Sequence, residues 1–294
     1  MTDTTERVDW HRIDDAYQAY LDAVADPPWG SLMAQTIVTG PHRRGLFASL
    51  PVEPGWTVLD LGTGFGPIPL EFAHVAGVRA IGIDPDRRLL DVARDTATTL
   101  EAAGWCAPGA SVEFLTADGA ALPLPDSSVD LVTARLVFQH VPDPGPVMRE
   151  ARRVLRCGGR FVIYDVDDGL SATWPPESPE TALLDAAYAA MQSRRGGDRE
   201  IGRKLPALLA SAGLTIEQIC PLPQATFAAS APNDLFRQVT AARYLADRDA
   251  MIATGLIDRA SFDRCLEAFA NESELPRCRL ESQIAVVAAK PKNR

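Results

Sequence analysis

The run Trp56-Thr57-Val58-Leu59-Asp60-Leu61-Gly62-Thr63-Gly64-Phe65-Gly66-Pro67 decides the fold. Its first half is short, apolar and β-branched, the pattern of a buried strand. Its second half places three glycines where a strand turns into a helix. Glycine there lets the backbone come close to a ligand, and the helix that follows aims its first N–H groups at negative charge. Pro67 suits the first helical turn, where a missing N–H costs little.

Working outward, the same rhythm recurs. Arg79–Ile83 predicts a second strand ending at Asp84, and 86–100 a helix. Ser111–Leu115, Val129–Thr133 and Arg160–Tyr164 predict three more strands, and Pro146–Leu155 a helix stopped by Gly158-Gly159. Strands alternating with helices predict an α/β fold, a doubly wound, mostly parallel sheet. Upstream, Ile13, Tyr17, Tyr20, Leu21 and Val24 recur at helical spacing up to Asp26-Pro27-Pro28, and 31–50 predicts a second helix. Downstream, helices are expected at 178–193 and 203–212, a strand at Leu214–Ile219, then about 60 mostly helical residues. Gln283–Ala288 is a last apolar strand that must return to the sheet.

The chain has 294 residues with 29 basic and 39 acidic, a net charge of −10. That argues against a large nucleic-acid footprint, which needs clustered Lys and Arg. The five cysteines form no Cys-x-x-Cys pair and no zinc-finger spacing with histidine, so free thiols and no metal are expected. The N-terminus is too polar for a signal peptide. No apolar run approaches the roughly 20 residues of a spanning helix. A cytoplasmic protein without a membrane partner is the expectation.

Three positions at the carboxyl ends of the predicted strands point to one ligand. Open α/β sheets bind ligands at that edge. They are the glycine turn, Asp84 and Asp118-Gly119-Ala120. A carboxylate at Asp84 can accept from both ribose hydroxyls, or it can cap the next helix. A nicotinamide site wants Gly-x-Gly-x-x-Gly, and Pro67 stands at the last of those positions.

Together these segments resemble the class I S-adenosylmethionine (SAM)-dependent methyltransferases. Asp60-Leu61-Gly62-Thr63-Gly64-Phe65-Gly66 is similar to their first motif, and Asp118–Asp130 to the segment leading into their fourth strand. Met148-Arg149-Glu150-Ala151-Arg152-Arg153-Val154-Leu155-Arg156-Cys157-Gly158-Gly159 is similar to their Glu-x-x-Arg-Val-Leu-x-Pro-Gly-Gly helix, with Cys157 in place of proline. The resemblance covers about 55–165 and is nearest to the ubiquinone/menaquinone-type small-molecule branch. It implies a Rossmann-like sheet of seven strands with an antiparallel C-terminal strand. It divides the chain into a helical N-terminal lid, 1–50, and a SAM domain, 51–294, with helical substrate-cap elements about 170–200 and 222–280.

The resemblance also implies roles. Asp60, Gly62, Thr63, Gly64 and Gly66 belong to the cofactor loop, with Gly62, Thr63 and Gly64 beside the methionine moiety. Asp84 holds the ribose, Pro85 lies against the adenine, and Asp118 accepts from the adenine amino group with Gly119 and Ala120 beside it. Arg135 lies near the methionine part or makes a salt bridge on the helix surface, and Tyr20 closes the site or packs in the core. The cofactor is SAM, the product S-adenosylhomocysteine (SAH).

An oxygen, nitrogen or carbon nucleophile of a small organic acceptor needs alignment and, for some, a base. His140, just after the fourth strand, is the candidate base, or a residue that packs or bonds the cofactor as in many members of the resembled family; Asp165 is its expected partner, with Asp167 and Asp168 close behind. Arg194-Arg195-Gly196-Gly197-Asp198-Arg199 is either an anion-greeting loop or a solvated one. Trp174, Tyr188, Met191, Phe227, Phe236 and Tyr244 line a lid or pack a core. The activity expected is methyl transfer to a small molecule of secondary metabolism. The alternatives are a SAM-binding protein of the same fold with non-methylating chemistry or a regulatory role, and a nicotinamide oxidoreductase.

Overall fold

A computed structural model describes residues 10–24, 29–48, 50, 52–228, 235–271 and 276–292. The Asp26-Pro27-Pro28 stop and the Phe236 side chain lie outside the described residues. The chain divides into two compact units, 1–118 and 119–294.

In the first unit three strands form a parallel ladder in the order β3–β2–β1: β1 (Thr57–Leu61), β2 (Arg79–Asp84) and β3 (Ser111–Thr116). All five residues of β1 are buried, as a strand covered on both faces requires. Helices α4 (Pro67–Val75) and α5 (Arg87–Ala102) connect them. The N-terminal segment folds as α1 (His11–Ala23), α2 (Gly30–Val38) and α3 (Gly40–Ala48). The single helix expected over 31–50 is thus two, interrupted at Thr39 before Gly40.

These helices are not a loose cover. Ile13, Tyr17 and Met33 share one core with Phe65, Leu70, Leu90 and Phe114. A buried ion cluster reinforces it. Arg43 has no exposed surface and donates to both oxygens of Glu71 on α4, at 2.8 and 2.6 Å, and to the Thr36 carbonyl at 2.9 Å. Arg44 also reaches Glu71, at 2.8 Å, and grips Asp14 with both terminal nitrogens. Three helices are thereby bound to α4.

In the second unit β4 (Val129–Arg135) pairs in parallel with β5 (Leu155–Val166), and β8 (Arg277–Ala289) runs antiparallel to β5. The α/β class with an antiparallel last strand is what the structure has. Among the described residues there are eight strands rather than seven, because a three-residue strand β6 (Ala172–Trp174) joins β8. β7 (Thr215–Ala228) pairs with β8 as well, and is far longer than the stretch 214–219. Pro221 and Pro223 fall inside β7. They are tolerated because β7 ladders only with β8, where proline needs no N–H on its open side.

The segment expected as a helical cap, 222–280, therefore holds strand at both ends. After α8 (Leu205–Ser211) and β7, its helices are α9 (Leu235–Ala246), α10 (Arg248–Ile252) and α11 (Arg259–Asn271). They pack on α7 (Pro179–Arg194) through Tyr188, Met191, Tyr244, Met251, Phe262 and Phe269. Of the aromatic and methionine set, Tyr188, Met191 and Tyr244 are thus core. Trp174 and Phe227 flank Cys278 across β8 and are 73 % and 71 % exposed. Among the described residues no helix is long and apolar enough to cross a membrane, and no cluster of three or more His, Cys, Asp or Glu has metal-site geometry.

Candidate functional site

In the first unit the chain leaves β1 through three left-handed glycines, Gly62 (φ 64°), Gly64 (φ 56°) and Gly66 (φ 78°). Only glycine holds such angles without strain. At Gly66 space excludes a side chain too, since a Cβ would stand 2.5 Å from the Phe114 ring. Pro67 opens α4, as its position predicts.

The loop is tied down on several sides. The Thr63 N–H donates to the Ile83 carbonyl at 3.0 Å, and the Gly64 N–H to the Asp84 carboxylate at 3.0 Å. The other Asp84 oxygen accepts from the Asp86 N–H at 2.8 Å. Burial pushes the Asp84 pKa up, against those two amides. The cap of α5 is Asp86, which accepts from the Arg88 N–H, so Asp84 is not spent on capping. From the other side the Tyr17 hydroxyl donates to the Phe65 carbonyl at 3.0 Å. Thr63 is buried, and its Oγ1 has no hydrogen-bond partner among the described residues. A buried hydroxyl without a partner is costly and calls for an explanation. Asp60 is buried, whereas Pro85 and Asp118 are exposed. Tyr20 is half-buried and packs against the core, so Tyr17 rather than Tyr20 makes the loop contact. His74 is structural. It stacks on Trp105 at 3.9 Å with its Nδ1 2.5 Å from the Trp105 carbonyl oxygen.

In the second unit the segment after Gly119 and Ala120 is held by α6 (Pro144–Val154). Glu150 accepts from the Leu122 N–H at 2.9 Å. Arg153 donates to the Leu122 and Leu124 carbonyls at 3.0 and 2.8 Å, and to Asp126 and Glu150. The Glu-x-x-Arg spacing thus pins a loop. At the end of β4 the Arg135 guanidinium lies 5.4 Å over the Tyr164 ring. Leu136 follows at φ 58°, a left-handed angle unusual for a branched side chain. Such strain persists only where the surroundings fix it, and it favours functional sites.

The turn Phe138–His140 comes next, and it corrects one expectation. Asp165 does not pair with the His140 ring. It is wholly buried at the end of β5 and accepts from the Phe138, Gln139 and Val166 N–H groups at 2.7, 3.3 and 2.9 Å. Burial raises its pKa to about 6 in spite of those donors. The strand end aims the carboxylate beneath the turn, so it positions the backbone that carries His140. Asp167 and Asp168 are bound to Arg203 and Arg199.

The side chain that does hydrogen-bond the ring is Gln192, which no sequence signal marked. His140 is exposed as a residue, yet partial burial of its ring lowers its pKa, and the charges of Arg199, Arg243 and Arg195 lower it further. The basic loop is neither free nor simply solvated. Arg194 caps the Ala253 and Thr254 carbonyls, Arg195 meets Asp247 at 3.0 Å, and Arg199 joins Asp168 to Gln139.

Residues 59–163 match the family model of the methyltransferase domain. Among curated relatives, the ubiquinone/menaquinone biosynthesis C-methyltransferase UbiE of Acidiphilium cryptum (strain JF-5) is 35% identical over 175 residues, 58% of this chain and 66% of that protein. The 27-O-demethylrifamycin SV methyltransferase of Amycolatopsis mediterranei (strain S699) is 35% identical over 120 residues, 41% of this chain and 42% of that one. The chain spans about half the length of the curated relatives it matches. Among solved structures, the [4+2]-cyclase SpnF superposes with a TM-score of 0.56 at 17% identity, covering 96% of this chain and 94% of that one, a likeness of fold alone. Residues 59–163 of this chain are a domain of the class I SAM-dependent methyltransferase family.

Proposed function

We propose that the protein transfers the methyl group of SAM to an oxygen, nitrogen or carbon nucleophile of a small organic molecule in secondary metabolism. The observation that carries this reading is the buried, unpartnered Thr63 hydroxyl in a loop of left-handed glycines fixed by Asp84 and Tyr17. A ligand reaching over that loop would satisfy it, and nothing stands within 4 Å of where a Cβ on Gly64 would lie. When bound, SAM supplies an electrophilic methyl group on a sulfonium whose departure needs no proton.

In this reading Asp60, Gly62, Thr63, Gly64, Gly66, Asp84, Pro85 and Asp118 hold the cofactor. Asp84 uses one lone pair of each oxygen on a backbone amide and keeps the others for ribose hydroxyls. Cofactor roles for Gly119, Ala120, Arg135 and Tyr20 rest on the resemblance alone. His140 takes the acceptor's proton on a ring nitrogen, and its lowered pKa keeps it unprotonated and able to do so near neutrality. Asp165 holds the turn beneath it. The net charge of −10 supports a small-molecule acceptor over a nucleic acid. The likeness to the 27-O-demethylrifamycin SV methyltransferase supports a place in secondary metabolism. The unpaired thiols support a cytoplasmic site.

Incubation with methyl-labelled SAM and a panel of hydroxylated, amino and carbon-acid natural products tests the proposal. Label in an acceptor is the expected result. Acceptor turned over without label would move the protein to the non-methylating alternative.

A further inference from the structure

We propose that Arg243 is the receptor for an anionic group, a carboxylate or a phosphate ester, on the acceptor molecule. This rests on the methyl-transfer reading and names the acceptor's chemistry. Arg243 projects from α9 and is half-buried. Its guanidinium carbon lies 4.5 Å over the Tyr188 ring and 5.9 Å from the Tyr244 ring. Its Nε is buried without a hydrogen-bond partner, and it forms no ion pair among the described residues.

Its neighbours are treated differently. Arg195 is paired with Asp247, Arg199 with Asp168 in a fork of two bonds, and Arg203 with Asp167. In a chain with ten more acids than bases, a half-buried arginine left with aromatic faces alone is conspicuous. Stacking restrains the plane of the guanidinium and leaves its N–H edge to recognise an oxyanion, a task for which its fork is suited. The position is linked to the candidate base. Gln192 donates to the Tyr188 hydroxyl at 2.7 Å and hydrogen-bonds His140, and the Arg243 charge acts on the His140 ring. An acceptor anchored at Arg243 would thus present its nucleophile beside His140. Arg199, also over Tyr188 at 5.9 Å, has its donors committed to Asp168 and Gln139 and leaves the anion to Arg243.

The test is an NMR titration of the His140 ring in the intact protein, with benzoate and inorganic phosphate as separate probes. Either anion, bound at Arg243, is expected to raise the His140 pKa, and the stronger responder tells carboxylate from phosphate ester. Arg243→Gln is expected to raise the starting pKa by removing a cation, and to weaken the anion's effect roughly ten- to hundredfold. Arg243→Lys, which keeps the charge but not the fork, is expected to fall between. No response to either probe in the wild type, or an equal response in Arg243→Gln, overturns the proposal. Calorimetry with SAH on the same samples separates the two readings. Absence of the anion response in the wild type, with SAH still bound, refutes the Arg243 site alone. Absence of SAH binding in the wild type refutes the cofactor reading.

Discussion

Glu71→Ala is expected to lower the unfolding free energy by about 3–5 kcal/mol, the range for leaving one side of a buried ion pair uncompensated. Arg43 has no exposed surface, and both oxygens of Glu71 are used by it and Arg44. Without Glu71, Arg43 keeps only the Thr36 carbonyl, 2.9 Å away. Water cannot make up the loss, because Arg43 is wholly buried and α1 and α2 share their core with α4 and α5. Arg44 retains Asp14 and is less affected. The double variant Arg43→Met/Glu71→Leu, which removes charge from both sides, should lose much less than Glu71→Ala. Urea denaturation of the three proteins measures this. A loss below about 1 kcal/mol in Glu71→Ala, the scale of exposed pairs, would mean that solvent reaches the cluster.

His140→Ala should lower turnover by roughly a hundredfold or more, the scale of general-base catalysis, while SAH affinity stays near the wild-type value. The pH dependence gives the sign. A base acts unprotonated, and the His140 pKa lies below its ordinary 6.5. The wild-type rate should therefore be level through neutrality and fall only as pH drops below 6.5 through that lowered pKa. Asp165→Asn should give a smaller loss. An amide offers one acceptor oxygen to three backbone donors, so the turn shifts while the imidazole remains. Full turnover in His140→Ala across the pH range would confine it to a binding or packing role.

The parts legible in the sequence were those where local chemistry and global fold demand the same residue. Gly66 needs both a left-handed angle and the absence of a side chain, and Pro67 fits only a first helical turn. Strands β1, β2, β4 and the end of β5 announced themselves because burial on both faces leaves nearly continuous apolar runs. The part of β7 beyond Ile219 was hidden because the open edge that lets a strand hold Pro221 and Pro223 depends on neighbours that no local pattern reveals. The Asp165 expectation failed for a related reason. Its place at the end of β5 was correct, but which way a carboxylate turns there depends on the amides of Phe138 and Gln139, 27 and 26 residues upstream. Tyr17 read as a packing residue by its helical spacing. Its hydroxyl bond to the Phe65 carbonyl spans 48 residues and has no local signature. Arg43, surrounded by polar and basic sequence, gave no sign of its burial either.

The central claim is that the glycine loop and Asp84 form a SAM site. Calorimetric titration of SAH into the wild type and into Asp84→Ala tests it most directly. One SAH is expected to bind per chain in the wild type, and binding is expected to weaken at least tenfold in Asp84→Ala, roughly the weight of hydrogen bonds to a charged group. The loss includes both the ribose contacts and the anchor of the Gly64 N–H. A wild type that takes up no SAH, or an Asp84→Ala variant that binds it as tightly, would contradict the account.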